Sequence, residues 1–417
     1  MITPSYGITA TERVLPKLAL DFTTASLDAR VTFTRALDTA TVTNSSGYVV
    51  PINANLPRFD YNPITLACKG LLIEESRANL LAYSTTFSNA NWTKSDSSVA
   101  TNVIIAPDSA TSSFTFSEAA TTASHYIGAP STSSLTSGTS YTTTVYAKAG
   151  TVGVIQLAYS STYFGANAYA NYDLTNGVLG TVGSASTATI TAVGNSWYRI
   201  SLTAPATLSG TTGSFIVFCN NSATAARFPS YAGNTNSSIY IWGAQLEAGA
   251  FSTSYIPTAG SSLTRNADVA TMTGTNFSDW YSAGAGGVVA RVLPSTVSNT
   301  RPAVQFDDST ANEVIALQGN TTNPELVIVD GGSPQAQIDA GTIAANTAYN
   351  LGVAWNTDNC AAAVNGNAAV TDNTATIPTV TQARLGSNGT NYLNGHIQTI
   401  RYWPQRIINA EVQAFSK

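Results

Sequence analysis

The sequence has little charge. Only 10% of its 417 residues are Asp, Glu, Lys or Arg, against roughly 25% in typical soluble domains. The 18 Lys and Arg residues are scattered, and with 23 Asp and Glu residues they give a formal net charge of −5. A nucleic-acid-binding protein needs a concentrated basic surface that neutralises phosphates, so the sequence argues against that class. Hydrophobic residues still make up 43% of the chain, which excludes wholesale disorder.

Cysteines and long apolar runs are also scarce. The three cysteines, Cys68, Cys219 and Cys360, lie far apart, so neither a disulfide framework nor a zinc site is expected. No run approaches the roughly 18 consecutive apolar residues that predict a membrane-spanning helix. The first residues, MITPSYGITATER, lack a basic segment followed by an apolar one. We therefore expect no signal peptide, no membrane insertion and synthesis in the cytoplasm.

Polar and apolar residues alternate with a period of two in many segments, a pattern that is typical of β-strands. In residues 141–149, YTTTVYAKA, every second side chain would face the same side of a strand. Similar runs predict strands near residues 153–159, 167–174, 187–192, 197–204, 213–219, 237–244, 286–292, 302–306, 312–318, 325–330, 349–355, 360–364, 382–386 and 396–403. The fold class that we predict is all-β, with two antiparallel β-sandwiches.

Turn and helix signals are few. Asn-Gly pairs begin at Asn176, Asn365, Asn388 and Asn394, and such pairs favour tight hairpin turns because both residues tolerate positive φ. Helices are predicted only over about 74–81, where two acidic residues would open the helix, and over 410–415, with Asn409 as the cap.

Changes in composition predict the domain organisation. Residues 1–78 hold a large share of the charge and are interpreted as an N-terminal attachment module. Residues 79–258 are rich in Ser, Thr and Tyr and would form the first sandwich. Residues 259–268, AGSSLTRNAD, have the composition of a linker, and residues 269–417 would form the second sandwich.

No catalytic constellation is evident. The two histidines, His125 and His396, have no acidic residue or nucleophile motif beside them, so a structural role is favoured for each. The adjacent acid pairs Glu74-Glu75 and Asp307-Asp308 do not have a spacing that would place both carboxylates on one strand face. We therefore predict no enzyme and no catalytic residues, and a glycan-cleaving enzyme is the less favoured alternative.

Two loops contain oxygen ligands of the kind that calcium prefers. One loop contains Asn356, Asp358 and Asn359, and the other contains Asp372 and Asn373. Because Asn and Asp are also the usual residues of turns, and no spacing typical of a calcium loop is present, turn formation is favoured. We predict no cofactor and no metal, with calcium as the alternative.

One aromatic segment is the candidate ligand contact. Residues 159–164, YSSTYF, are predicted as a loop between two strands. Tyr159, Tyr163 and Phe164 in that loop are surrounded by small polar residues. Aromatic faces pack against the apolar C–H face of sugars, so these three residues are the predicted ligand-binding residues.

Several segments are distinctive when taken as a series. They are residues 31–35 (VTFTR), 57–61 (PRFDY), 70–75 (GLLIEE), 79–84 (NLLAYS), 145–150 (VYAKAG), 194–199 (GNSWYR), 242–247 (WGAQLE) and 253–258 (TSYIPT). This series is similar to the tail-fibre and head-spike-fibre proteins of tailed bacteriophages. The middle module of such proteins resembles carbohydrate-binding jelly rolls. The C-terminal segments 393–402 (LNGHIQTIRY) and 409–415 (NAEVQAF) resemble the end of a concanavalin A-like, laminin-G-like sandwich.

The resemblance implies a structural protein of the virion surface: a fibre, spike or decoration protein. It implies contact with other virion proteins through residues 1–78, adsorption to a host surface glycan and assembly as a homotrimer. A decoration component of the capsid or tail without a ligand is the alternative. Arg58 and Glu74 are charged residues beside apolar runs, and we predict a partly buried ion pair between them.

Overall fold

The computed structural model describes residues 15–102, 104–210 and 214–417. The fold is nearly all β, with 47% strand and 5% helix, and its antiparallel sheets form sandwiches. The predicted fold class is thus confirmed. The described residues form two compact units, one within residues 34–268 and the other of residues 269–417 together with residues 15–33. Within the described ranges, no helix has both the length and the apolar character needed to cross a membrane.

The strands are numbered in chain order. The first two are β1 (Leu18–Asp21) and β2 (Thr32–Thr34). The next are β3 (Ala40–Thr43), β4 (Val49–Ile52), β5 (Phe59–Tyr61), β6 (Cys68–Ile73), β7 (Arg77–Asn79), β8 (Thr93–Ser95), β9 (Ser97–Thr101), β10 (Phe114–Glu118), β11 (Thr122–Ala123), β12 (Tyr126–Pro130), β13 (Ser140–Ala149), β14 (Val154–Tyr159), β15 (Tyr169–Asp173), β16 (Val178–Val182), β17 (Thr187–Ala192), β18 (Tyr198–Pro205), β19 (Ser214–Asn220), β20 (Tyr231–Ala232), β21 (Ser238–Ala248) and β22 (Leu263–Arg265). The last are β23 (Val269–Thr273), β24 (Gly286–Pro294), β25 (Thr300–Asp307), β26 (Val314–Asn320), β27 (Asn323–Asp330), β28 (Ser333–Asp339), β29 (Tyr349–Trp355), β30 (Cys360–Val364), β31 (Val370–Asp372), β32 (Gln382–Leu385) and β33 (Gly395–Trp403). The helices are α1 (Ser161–Phe164), α2 (Thr275–Ser278) and α3 (Asn409–Phe415), with a 3-10 turn at Phe22–Thr24.

The unit of residues 34–268 is a sandwich of two antiparallel sheets. Sheet A has the order β17-β18-β13-β21-β10-β9, and sheet B has the order β16-β15-β14-β19-β12-β8. Alternate residues of both sheets fill the core between them, for example Val145 from sheet A and Leu157 and Val217 from sheet B, each 0% exposed. The outer face of sheet B is formed by the other residues of each strand.

Residues 34–78 belong to the same unit as this sandwich. They form the hairpin of β3 with β4 and the hairpin of β5 with β6. The predicted helix over 74–81 is wrong, because β7 lies in this segment and pairs with β22. Glu74 does not open a helix; its carboxylate instead accepts hydrogen bonds from Ser254. The segment 259–268, whose composition predicts a linker, contains β22 and two fully buried charged residues.

The C-terminal residues also form two antiparallel sheets. Sheet C contains β31-β30-β29-β24-β33, with β1 also paired to β33. Sheet D contains β23-β32-β25-β26-β27-β28. Rings of Trp280, Phe306, Trp355 and Tyr402 pack against one another in the core. The predicted C-terminal helix is confirmed as α3, but its N-cap is Ile408 rather than Asn409.

Two of the four Asn-Gly pairs form the predicted hairpins. Asn176-Gly177 joins β15 to β16, and Asn365-Gly366 joins β30 to β31 with φ of 50° and 78°. Asn388-Gly389 lies in a loop closed by a bridge between Ser387 and Tyr392. At the fourth pair, Gly395 is the first residue of β33, so the chain enters a strand there rather than a hairpin.

Candidate functional site

The structure places the predicted contact residues Tyr159 and Phe164 in the sandwich core, where they are 1% and 2% exposed. The segment does connect two strands, as predicted, but it consists of the end of β14 and the helical turn α1 rather than a loop. The Tyr159 hydroxyl donates to the carbonyls of Tyr141 and Leu202 at 3.0 and 3.1 Å. Only Tyr163 of the three is half-buried. A ligand-binding role for the three residues remains an untested prediction.

The other residues discussed from the sequence have structural surroundings. His125 is 0% exposed, with Nδ1 2.7 Å from the Asp96 carbonyl and Nε2 3.2 Å from the Tyr231 carbonyl. His396 is 5% exposed within β33. In the loop with Asn356, the backbone N–H of Asn356 donates to the Asn359 carbonyl.

The second calcium candidate is also a turn. The Asp372 carboxylate accepts hydrogen bonds from the backbone N–H and the hydroxyl of Thr374, both at 2.9 Å. The Asn373 side chain takes no part in these two hydrogen bonds. In residues 15–102, 104–210 and 214–417, no three or more His, Cys, Asp or Glu side chains form a group that could hold a metal ion.

A cluster of aromatic side chains lies on the outer face of sheet B. The strand register places Tyr169, Ala158, Ile216 and Gly128 in one row across the sheet, and Asn171, Gln156, Phe218 and Tyr126 in the next. The ring of Phe228, from the loop after β19, packs on this surface. We call Tyr126, Tyr169, Phe218 and Phe228 the aromatic platform.

The rings of the aromatic platform are closely packed but not fully covered. The ring centroids of Phe218 and Phe228 are 4.4 Å apart, and those of Tyr126 and Phe218 are 5.1 Å apart. The rings of Tyr126 and Phe228 are parallel within 7° at 6.4 Å. Tyr126, Tyr169 and Phe228 are half-buried, whereas Phe218 is 0% exposed. Three of the four platform residues, two of them tyrosines, therefore remain partly exposed to solvent.

Three buried amide side chains hold the loop that carries Phe228. They are Gln156, Asn171 and Asn220, which we call the amide clamp. Gln156 Nε2 donates to Asn171 Oδ1 at 2.7 Å and to the Ala226 carbonyl at 3.0 Å, and its Oε1 accepts from the Phe228 N–H. Asn171 Nδ2 donates to the Ala225 carbonyl at 2.7 Å. Because the clamp residues are at most 1% exposed, these hydrogen bonds fix the loop firmly to the sheet.

The backbone of Phe228 is in an unusual conformation. Its φ is +55°, in the left-handed region that costs a bulky side chain about 1–2 kcal/mol relative to the ordinary helical region. The Ser124 hydroxyl donates to the Phe228 carbonyl at 3.2 Å. Such strain persists only where the surroundings determine it, and it is enriched at functional sites.

Arg227 lies beside the aromatic platform. The carbon of its guanidinium group is 3.5 Å from the centroid of the Phe228 ring, and Nη2 donates to the Tyr159 carbonyl at 2.7 Å. Burial lowers the pKa of the Arg227 guanidinium below its ordinary value. The platform thus combines aromatic surface with one partly desolvated cation.

Sequence reasoning missed Arg227, Phe228 and Tyr126. No strand was predicted at β12, where Tyr126 lies, and Phe228 is separated from Tyr126 by a hundred residues of chain. The available signal was local: Arg227 and Phe228 directly precede Pro229 in a polar connection between strands. That pattern predicts a turn with an aromatic residue in it, but not the surface on which it packs.

The same unit contains a buried cluster of charges, and it confirms the predicted pair. Arg58 Nη2 is 2.8 Å from Glu74 Oε2, with side-chain exposures of 0% and 8%. Arg58 Nε donates to Asp268 at 3.2 Å, and Arg35 Nη1 lies 3.3 Å from the same carboxylate. Arg265 Nη2 is 3.5 Å from Glu74 Oε2.

The cluster favours the ionised form of Glu74. Although burial alone would raise it, the pKa of Glu74 is held well below its ordinary value by Arg265, Arg58 and a hydrogen bond from Ser254. These contacts join residues 34–78 to the segment 254–268 within one unit. Because the side chains are buried and paired with one another, we assign the cluster a structural role rather than a chemical one.

Solved structures with partial likeness to the chain include a variant of the NanB sialidase from Streptococcus pneumoniae (TM-score 0.30, 16% identity, 34% of this chain and 26% of that chain). Others are the Ruminococcus gnavus IT-sialidase CBM40 bound to alpha2,3 sialyllactose (0.29, 12%, 33% and 84%) and domain 4 of AbnA, a Geobacillus stearothermophilus arabinanase, with arabinotriose (0.29, 15%, 41% and 84%). No family model and no curated protein matches the chain. At these TM-scores the likenesses identify neither a family nor a ligand.

Proposed function

We propose that this protein binds a glycan through the aromatic platform, and that it does so as a surface protein of a bacteriophage virion. The observation that carries the glycan part is the platform itself: three half-buried aromatic side chains on an outer sheet face, held by buried amides. Aromatic rings of this kind pack against the apolar face of sugars, while phenol groups hydrogen-bond to sugar hydroxyls. Support for the virion part comes from the series of sequence segments that resemble phage fibre proteins.

Binding to cells tests the glycan part. Fluorescently labelled protein is applied to candidate host cells and measured by flow cytometry, with soluble host polysaccharide as competitor. We expect saturable, competed binding that falls at least tenfold in Tyr126→Ala. The matched control is Tyr48→Ala, since Tyr48 is also half-buried but lies outside the platform. Equal binding by both variants would reject the platform as the site.

Two other outcomes would change the proposed function. A folded protein without any binding to cells or polysaccharide would favour a decoration component that has no ligand. Release of reducing ends from the polysaccharide would favour a depolymerase. Tyr163→Ala, measured in the same assay, tests the one half-buried member of the segment 159–164.

The virion assignment needs a separate experiment. We propose that residues 1–78 face the particle and that the protein is a homotrimer. Deletion of residues 1–78 is unsuitable as a test because it would remove Arg58 and Glu74 from the buried charge cluster. Cross-linking of purified particles is expected to join Lys17 or Lys69 to a capsid or tail protein, and light scattering is expected to give three times the chain mass. Absence of the protein from purified particles would refute the assignment.

A further inference from the structure

Arg227 has no acidic partner within the described part of the chain. Some other arginines have one: Arg30 pairs with Asp28 at 2.7 Å, and Arg384 pairs with Asp307 at 2.9 Å. Others, such as Arg301, bind only carbonyl oxygens among the described residues. Arg227 donates one hydrogen bond, from Nη2 to the Tyr159 carbonyl, and stacks on Phe228. Its Nε is buried and has no hydrogen-bond partner among the described residues. The cation is therefore partly removed from water without a carboxylate in return.

This arrangement fixes the direction of the guanidinium group. The stack on Phe228 and the hydrogen bond to the end of β14 hold the side chain at two points. Phe228 is itself held by the amide clamp through its N–H. Arg227 is half-buried rather than covered, and so it keeps a surface that a ligand can reach. A preorganised, partly desolvated guanidinium group binds carboxylates and sulfates more strongly than a free one.

We infer that the glycan bound by the aromatic platform is acidic, and that Arg227 recognises its carboxylate or sulfate group while Tyr126 and Tyr169 contact the sugar ring. This inference rests on the proposed function, since it concerns the same site. Phe228 is then a positioning residue that orients Arg227. The neutral parts of the glycan supply the ring contacts, and the anionic group supplies the selectivity.

The experiment uses pairs of carbohydrates that share a backbone, one acidic and one neutral: oligogalacturonate and its methyl ester, and dextran sulfate and dextran. Binding of the full-length protein is measured by calorimetry or biolayer interferometry at two salt concentrations. We expect at least one acidic member to bind tenfold or more tightly than its neutral partner. Because charge attraction is screened by salt, this preference should decrease as the salt concentration rises.

Variants test whether Arg227 causes the preference for the acidic member of each pair. Arg227→Gln is expected to lose tenfold or more for the acidic member and clearly less for the neutral member, whereas Arg227→Lys should retain part of the preference. Tyr126→Ala should weaken both members. Equal binding of neutral and acidic members, or equal losses in Arg227→Gln, would overturn the inference and leave the proposed glycan binding intact. No binding to any pair or to host polysaccharide would overturn the proposed function itself.

Discussion

At the scale of single residues, Phe228 combines an aromatic ring with a backbone conformation that suits glycine. Its φ of +55° predicts an unusual order of stability among small replacements. Phe228→Gly should be about 1 kcal/mol more stable than Phe228→Ala, because only glycine occupies this region without a steric penalty. Urea denaturation of both variants provides the measurement.

Phe218 provides the matched control for this comparison. It is a neighbouring ring of the same platform, but it lies within strand β19 and has no positive φ. Phe218→Gly should therefore be less stable than Phe218→Ala, since glycine weakens a strand interior. If glycine were the poorer replacement at both positions, the strained conformation of Phe228 would be refuted.

The buried pair of Arg58 and Glu74 gives a second prediction. Glu74→Gln leaves three buried arginines around Asp268 alone, and Arg58→Met removes the side chain that bonds to both carboxylates. Each substitution should therefore lower the free energy of unfolding by about 3–5 kcal/mol. The double variant should lose less than the sum of the two. A double-mutant cycle measures the coupling energy by urea denaturation.

The half-exposed pair of Arg30 and Asp28, with side-chain exposures of 35% and 27%, is the reference for this cycle. Exposed pairs contribute at most about 1 kcal/mol, so the same cycle there should give a small coupling. A coupling between Arg58 and Glu74 as small as that of the reference pair would show that burial does not strengthen the interaction.

The sequence predicted the ion pair of Arg58 and Glu74, but it did not predict that Asp268 belongs to the same cluster. The first two are charges beside apolar runs, which is a local signal. Asp268 lies in the polar stretch AGSSLTRNAD, whose composition predicts a linker, and nothing local shows that three arginines surround its carboxylate. The small polar neighbours of Tyr159 and Phe164 suggested that both side chains are accessible to a ligand. Both are buried instead, because the alternation of β14 directs Tyr159 into the core.

At the scale of elements, the alternation of polar and apolar residues located fourteen of the strands from residue 153 onward to within a few residues, but it missed β16, β20, β22, β23, β28 and β31. It succeeded because these strands have one face in a core, which imposes period two on the sequence. The segment 74–81 was misassigned as a helix since its acidic start is also a helix signal. The pairing of β7 with β22, far away in the chain, decided its structure. Sheet order and the loop that covers sheet B depend on such contacts and could not be predicted.

The amide clamp leads to a prediction about how firmly the loop 221–228 is attached to sheet B. Asn171→Ala removes the donor to Ala225 and the acceptor of Gln156 and Asn220. Buried groups left without partners cost about 1–3 kcal/mol each, so the loop 221–228 should detach more often. We expect faster hydrogen exchange in that loop and weaker glycan binding, with unchanged exchange in β13.

The control for the clamp is Asn176→Ala. Asn176 also donates a side-chain hydrogen bond, to Asp173 at 2.7 Å, but it is exposed in a hairpin. Its loss should leave exchange in 221–228 unaltered. Equal exchange in the loop for both variants would mean that the clamp does not hold it.

At the scale of the whole molecule, the charge cluster makes stability depend on pH. The pKa of Glu74 is lower in the folded protein than in the unfolded chain, where a Glu has a pKa of about 4.3. The unfolded state therefore binds more protons in acid. The stabilisation is complete above about pH 5 and is lost progressively as the pH falls below the unfolded value.

Denaturation in urea at pH 7, 5, 4 and 3 checks this dependence. The wild-type protein should lose stability toward pH 3, and Glu74→Gln, already less stable at pH 7, should lose less over the same range. Parallel curves for the two proteins would show that other carboxylates cause the acid sensitivity.

The pairing of β1 with β33 has a consequence for biosynthesis. Leu18 pairs with Tyr402 across the two strands. Strand β1, the first that the structure describes, therefore cannot pair until β33 has left the ribosome. The strands of sheets A and B all lie between residues 93 and 248, so that sandwich can close while translation continues. The nascent chain then carries a closed sandwich of sheets A and B while β1 still lacks its partner strand. Until Tyr402 appears, β1 is an open strand edge on which a chaperone, or a neighbouring nascent chain, can pair.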